Sequence, residues 1–273
     1  MKAFEIGARK TVVFYLHGLR GHAFAHKASL EHMVKNLGVS LVSLELPGHG
    51  EDAFLEHCMV PRYHQLVAMI VDEVRRLAGD SEQVILMGYS FGGALMTIAA
   101  NELQKDEKFS PKVAGFIGIS TAYDVAHNVP KWQLILADAI APISRFLFRH
   151  RPKWSRYVTI REMDVTLITP SVCLQASMLD DDLVYKGRIP LNTSAQVYKA
   201  SLTAKKLVNQ LTTPILLLHS VDDAIALAPT ENTFEPHVRL RLFKNLRHNC
   251  IDGLAREAVL SRRAITHFIS EKL

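Results

Sequence analysis

Apolar residues along the chain fall into two spacings, and the alternation between them predicts the architecture. "TVVFYLHG" (11–18) is β-branched and aromatic and ends on a His-Gly pair, so it predicts a strand buried on both faces. "SLVSLELPGHG" (40–50) repeats the form and is stopped by Pro47, Gly48 and Gly50. Between them Leu30, Met33, Val34 and Leu37 recur at helical spacing, with Gly38 as the stop. A second helix is predicted over "PRYHQLVAMIVDEVRRLAG" (61–79), with Pro61 as its first residue, Gly79 as its end and Leu66, Met69, Ile70, Val74 and Leu77 on its apolar face. "QVILMG", "KVAGFIGIS", "TPILLLHS" and "HVRLRLF" predict strands ending near 88, 120, 220 and 243, with helices over 94–103 and 253–269. One further strand fits at Ala3 to Ile6. Strands alternating with helices predict an α/β fold, with a mainly parallel sheet covered by helices on both faces.

The alternation fails between 125 and 208. "KWQLILADAIAPISRFLFRHRPKW" and "SAQVYKASLTAKKLV" carry helical spacing with no buried strand between them. The expected organisation is therefore a core of 1–124 and 209–273, interrupted by a helical cap, or lid, over 125–208. Apolar residues surround the first of these helices, and Arg149, His150, Arg151 and Lys153 follow it. An apolar pocket beneath a lid with a basic rim suits an amphiphile, which makes Trp132, Phe146 and Phe148 candidate substrate contacts; the plainer alternative is that they form the lid's own core.

Composition narrows the class of protein. A chain of 273 residues, 48% hydrophobic and 22% charged, can bury one large core and is not a disordered chain. No apolar run approaches the roughly 18 residues of a membrane span, and "MKAFEIGARK" has no leader-like stretch, so a cytoplasmic location is expected. Cys58, Cys173 and Cys250 are scattered, without metal-site spacing or a disulfide framework. The formal charge of +5 is spread without a compact Lys/Arg block, so no nucleic-acid partner is expected. Transient contact of the lid with a membrane surface is the interaction the pattern suggests, and a monomer or a homodimer fits it equally.

Candidate chemistry sits at the predicted strand ends. "LMGYSFGGAL" (86–95) places Ser90 between Gly88 and Gly92, directly after a buried strand and ahead of a helix. Such a turn can expose a nucleophilic serine at the carboxyl edge of a sheet; the simpler alternative is a serine capping the helix. A serine hydroxyl needs a base, and the base needs an acid to orient it. Of His237, His248 and His267, only His248, in "NLRHNCIDG", leaves the last strand at its carboxyl end. Acids at strand ends are Asp124, Asp222 and Asp223; the adjacent pair lies nearer the histidine loop, and spacing alone does not separate its members. Backbone N–H of Phe91 and of Leu19 in "HGLRG" would stabilise an oxyanion.

Taken in order, "HGLRG", "ELPGHGED", "GYSFGG", "LLLHSVDD" and "RHNC" resemble the α/β-hydrolase superfamily, with bacterial carboxylesterases, monoacylglycerol lipases and lysophospholipases as the nearest look-alikes. The resemblance spans nearly the whole chain and is looser in the lid. It implies Ser90 as nucleophile, His248 as base and Leu19 and Phe91 as oxyanion donors. Counting from Ser220, which stands where relatives have the glycine of a His-Gly pair, it implies Asp223 as the acid. Glu45 departs from the aspartate usual at its position. A serine nucleophile counts against dehalogenase and dienelactone-hydrolase chemistry. The resemblance thus implies hydrolysis of a lipid-like carboxylic ester, a monoacylglycerol or similar amphiphile, without metal or organic cofactor. Acyl thioesters and carbon-carbon bonds are alternative targets of the same triad, and a non-catalytic receptor of the same fold is a rival of another class.

Overall fold

The computed structural model describes residues 10–53, 58–125, 162–230 and 234–273, and the backbone alone of 3–6 and 159–160. Its main sheet has seven strands in the order β1 (Ala3–Ile6), β3 (Ser40–Leu44), β2 (Thr11–Leu16), β4 (Gln83–Tyr89), β5 (Lys112–Ile119), β8 (Ile215–Ser220) and β9 (Val238–Phe243). Strand β1 pairs antiparallel with β3, and the other neighbours are parallel. The short pair β6 (Thr159–Ile160) and β7 (Ile189–Pro190) stands apart.

The continuous apolar runs have a direct cause. Successive side chains of a strand point to opposite faces, and here helices cover both. Val12, Phe14 and Leu16 pack into one core, whereas Val13 and Tyr15 pack into the other. The first core is closed by helices α2 (Tyr63–Ala78), α3 (Phe91–Leu103) and α6 (Leu191–Leu207), through Leu66, Ile70 and Val74 of α2 among others. Each of these side chains is fully buried, a gain of about 1.5–3 kcal/mol apiece. The second core is closed by α1 (Lys27–Val34) and α7 (Arg256–Ser270), through Leu30, Met33, Ile265 and Phe268.

Two expectations need correction. Helix α6, assigned to the cap from its spacing, packs Ala200 and Ala204 into the sheet core beside α3, so its residues are core. Helical periodicity reports that a helix has an apolar face, not which surface covers it. Pro61 is not the first residue of α2; the helix opens at Tyr63, where the Gln65 side chain accepts from the Arg62 N–H. Between β6 and β7 lie two short helices, α4 (Val165–Ile168) and α5 (Val172–Asp180), capped by the side chains of Asp164 and Ser171. No described helix is long and apolar enough to cross a membrane.

Strand order reverses direction between β2 and β4, because the chain adds β3 on one side of β2 and β4 on the other. Ligands of open α/β sheets bind beyond the carboxyl ends of the strands at such a switch point. Leu19 follows β2 and Ser90 follows β4, so both stand there.

Candidate active site

Ser90 occupies the turn from β4 into α3 with φ 54° and ψ −120°. A non-glycine residue in this region is strained by about 1–3 kcal/mol and needs surroundings that hold it. Its N–H donates to Ile119 O at 2.9 Å, and its carbonyl accepts from Ala122 N at 3.1 Å and Ala94 N at 3.2 Å. The flanking glycines answer to close approach. A Cβ on Gly88 would stand 2.6 Å from Gly92 O, and one on Gly92 would overlap the carbonyl oxygens of Leu16 and His17. The first turn of α3 therefore lies directly on the ends of β2 and β4. Ser90 sits at the N-cap position, but its side chain makes no capping hydrogen bond.

The hydroxyl is directed elsewhere. Ser90 Oγ lies 2.8 Å from His248 Nε2, and His248 Nδ1 lies 2.7 Å from Asp223 Oδ2. A carboxylate only accepts, so the imidazole proton sits on Nδ1 and leaves Nε2 to accept from the serine. Asp223 Oδ1 accepts from Ile225 N at 2.8 Å and Ala226 N at 3.0 Å. His219 Nε2 adds a third support, donating to Ala226 O at 2.7 Å and standing 3.2 Å from Asp223 Oδ2. Burial alone would raise the Asp223 carboxyl, but the charge of His248 and hydrogen bonds from both histidines outweigh it, so it is held well below the usual carboxylate range. Ser90, Asp223 and His248 are all buried.

The competing residues lie apart. Asp222 is exposed and accepts from Ser220 Oγ. Asp124 is exposed and pairs with Lys205 at 3.1 Å. His237 is exposed just ahead of β9, and His267 pairs with Glu271 on the outer face of α7.

Leu19 and Phe91 line a cavity of about 530 Å³ together with Ser90 and His248. Phe91 is the first residue of α3, so no carbonyl of its own helix takes its N–H. The loop carrying Leu19 is fixed from below: buried His17 donates from Nδ1 to Gly18 O at 2.8 Å, and Glu45 Oε1 lies 2.5 Å from its Nε2. Burial pushes the Glu45 carboxyl up, but the hydrogen bond and charge of His17 prevail and hold it below its ordinary value. A longer acid than aspartate fits because position 50 is glycine; a Cβ there would stand 2.6 Å from Glu45 Oε2.

Opposite the serine, Leu167, Ile168, Leu174 and Met178 of α4 and α5 give the cavity an apolar roof. The roof is tied down at its edges by His22 to Asp181 at 2.9 Å, by Asn249 N to Ile168 O at 2.8 Å, and by Arg20, which reaches the carbonyls of Tyr185 and Gly187. Trp132, Phe146 and Phe148 lie outside the described residues. Sequence reasoning missed α4 and α5, although Asp164 and Ser171 are ordinary helix-starting residues. It also missed His219 beside Asp223 and, in the cavity itself, Tyr89 and a polar group of His26, Ser29, Asn249 and Asp252.

A family model described as serine aminopeptidase, S33 matches residues 7–252. The chain belongs to the serine aminopeptidase S33 family. Solved structures of like fold include the monoacylglycerol lipase of Paleococcus ferrophilus, 19% identical over 100% of this chain and 99% of that one, TM-score 0.77. A thermostable carboxyl esterase of Bacillus coagulans, solved with glycerol, is 12% identical over 99% and 93% of the two chains, TM-score 0.75. A soluble variant of Saccharomyces cerevisiae monoglyceride lipase, solved with a substrate analogue, is 14% identical over 99% and 91%, TM-score 0.71. At these identities the likeness is one of fold, and with the family match it shows the α/β-hydrolase fold.

Proposed function

We propose that the protein is a serine hydrolase of carboxylic esters, acting on an apolar acyl group through Ser90, His248 and Asp223. The observation that carries the reading is the pair of short contacts, 2.8 Å from serine to imidazole and 2.7 Å from imidazole to carboxylate, at a strained turn that opens into a largely apolar cavity. Names of the similar structures, lipases and an esterase, point the same way.

In this reading Ser90 Oγ attacks the ester carbonyl carbon while its proton passes to His248 Nε2. The carbonyl π electrons move onto oxygen, which the N–H groups of Leu19 and Phe91 receive. Collapse of the tetrahedral adduct breaks the bond to the alcohol oxygen, and the imidazolium returns the proton to it. Water then repeats the sequence on the acyl-serine, releasing the acid. Asp223 stays ionised throughout, which holds the imidazole tautomer and stabilises the transient imidazolium. The roof residues Leu167, Leu174 and Met178 accept the acyl chain.

Initial rates on a matched set of decanoyl esters, decanoyl thioesters, a β-diketone and aminoacyl nitroanilides test the reading. Esters are expected to turn over fastest. Faster turnover of the nitroanilides would assign the site to peptide N-termini, as the family description has it, and faster thioester or diketone turnover would move the substrate class accordingly.

A further inference from the structure

The loop that carries His248 is held differently on its two sides. Downstream the hold lies within the floor of the cavity. Asn249 Nδ2 donates to Asp252 Oδ2 at 2.9 Å, Asn249 Oδ1 accepts from the N–H groups of Ile251 and Asp252, and Asp252 pairs with His26 Nδ1 at 2.5 Å. Upstream, the turn from β9 to His248 places two non-glycine residues in left-handed backbone, Asn245 at φ 59° and Arg247 at φ 55°. Asparagine enters that region readily and arginine does not, so the backbone directly before His248 needs a hold from outside its own turn.

That hold comes from the roof. The half-buried Arg247 donates from its guanidinium to Thr166 O and, in a longer contact of 3.4 Å, to Thr169 O. Both carbonyls belong to the end of α4, where a helix has run out of its own N–H donors. On the other side of the histidine, Asn249 N donates to Ile168 O at 2.8 Å. Residues before and after His248 therefore bond to one stretch, 166–169. Leu167 and Ile168 of that stretch line the cavity, as do His248 and Asn249, whereas Arg247 does not. The guanidinium thus joins the roof to the base from outside the space a substrate would fill.

We propose that Arg247 is a positioning residue: its clamp on α4 fixes the backbone from which His248 reaches Ser90, so the seating of the roof sets how fast the serine is acylated. The inference rests on the ester-hydrolase reading above. The imidazole must keep two short contacts at once, to Ser90 Oγ and to Asp223 Oδ2, and a shift of the backbone at 247 moves both. A guanidinium suits the task because its rigid fork reaches two carbonyls together, which a single ammonium does less well. The remaining ties of the roof lie at the other end of its segment, where His22 meets Asp181 and Arg20 reaches Tyr185 O and Gly187 O. Removing the Arg247 guanidinium therefore loosens the base while the roof stays attached.

The test is the rate of nitrophenol release in single turnovers, with the full-length protein in excess over nitrophenyl acetate or nitrophenyl decanoate. In Arg247→Met, which keeps an apolar stem and removes the donors, the limiting rate is expected to fall roughly ten- to thirty-fold on both esters, the scale of a base displaced by a fraction of an ångström. The protein concentration giving half of that rate with the decanoate should change less than about two-fold, since no substrate contact is lost. Arg247→Lys keeps the charge and should recover part of the rate; its own deficit, about three- to five-fold, carries the test if the Met protein does not fold. An unchanged limiting rate in a folded variant overturns the proposal, leaving the clamp as a fastening of the roof alone. A loss confined to the decanoate also overturns it, because Arg247 would then act through the contact of the acyl chain with the roof and not through His248. Failure of the ester reading itself looks different: the wild-type protein would hydrolyse neither ester.

Discussion

The floor and the roof of the cavity are built on opposite principles. The floor is the carboxyl edge of the sheet, where Ser90, Asp223 and His248 are buried and the serine turn is held by backbone hydrogen bonds from β5 and α3. The roof is α4 and α5, two short helices with no fully buried residue, fastened at their edges by side chains such as Arg20, His22 and Arg247. In the proposed reaction these three side chains must hold their geometry to fractions of an ångström, and they sit where packing leaves little alternative. What fits between the two surfaces is decided by the side that is less constrained.

Substitutions in the floor and the roof should therefore act differently, with the largest effect in the floor. Asp223→Asn should lower kcat for ester hydrolysis by roughly 10⁴-fold, since the amide orients the wrong imidazole tautomer, whereas Asp222→Asn should change it less than about two-fold. Equal losses in steady-state assays would mean that the acid had been misassigned.

A smaller effect concerns acid stability. The Asp252 carboxyl is lowered from 3.8 to about 2, so its ionisation favours the folded state by about 2 kcal/mol above pH 4. Because its folded pKa is depressed, that contribution is complete above the unfolded value and is lost as pH falls from about 4 towards 2. Urea unfolding should show the gap between wild type and Asp252→Asn closing through that window. A gap independent of pH would show that the carboxylate is not held by its charged and hydrogen-bonded partners.

The roof should give the smallest effect and a different signature. Met178→Ala removes an apolar wall and should raise KM for decanoyl esters about three- to ten-fold, with little change for acetyl esters and in kcat. A matching loss of kcat on both would place Met178 in support of the floor.

The same contrast explains what the sequence disclosed. Strands buried on both faces, such as Val12 to Leu16, write themselves as apolar runs, and the glycines around Ser90 mark a backbone crossing that admits no Cβ. These features are local, and they were readable. His248 was readable because topology assigns strand ends to one edge. The choice of Asp223 over Asp222 came from a family resemblance, and the structure brings only Asp223 to the imidazole. The contact of His26 with Asp252 joins residues 226 positions apart, and no spacing announces it. Helix α6 carried a clear period but no statement of its partner, and α4, with four residues, is too short to develop one.

In the proposed reaction Ser90 carries the acyl group during turnover. Rapid acid quench of the protein with nitrophenyl decanoate, followed by digestion and mass spectrometry, reads this directly. One decanoyl adduct is expected, on the peptide containing Ser90 and lost in Ser90→Ala along with the nitrophenol burst. An adduct on any other residue, or a burst that survives in Ser90→Ala, would contradict it.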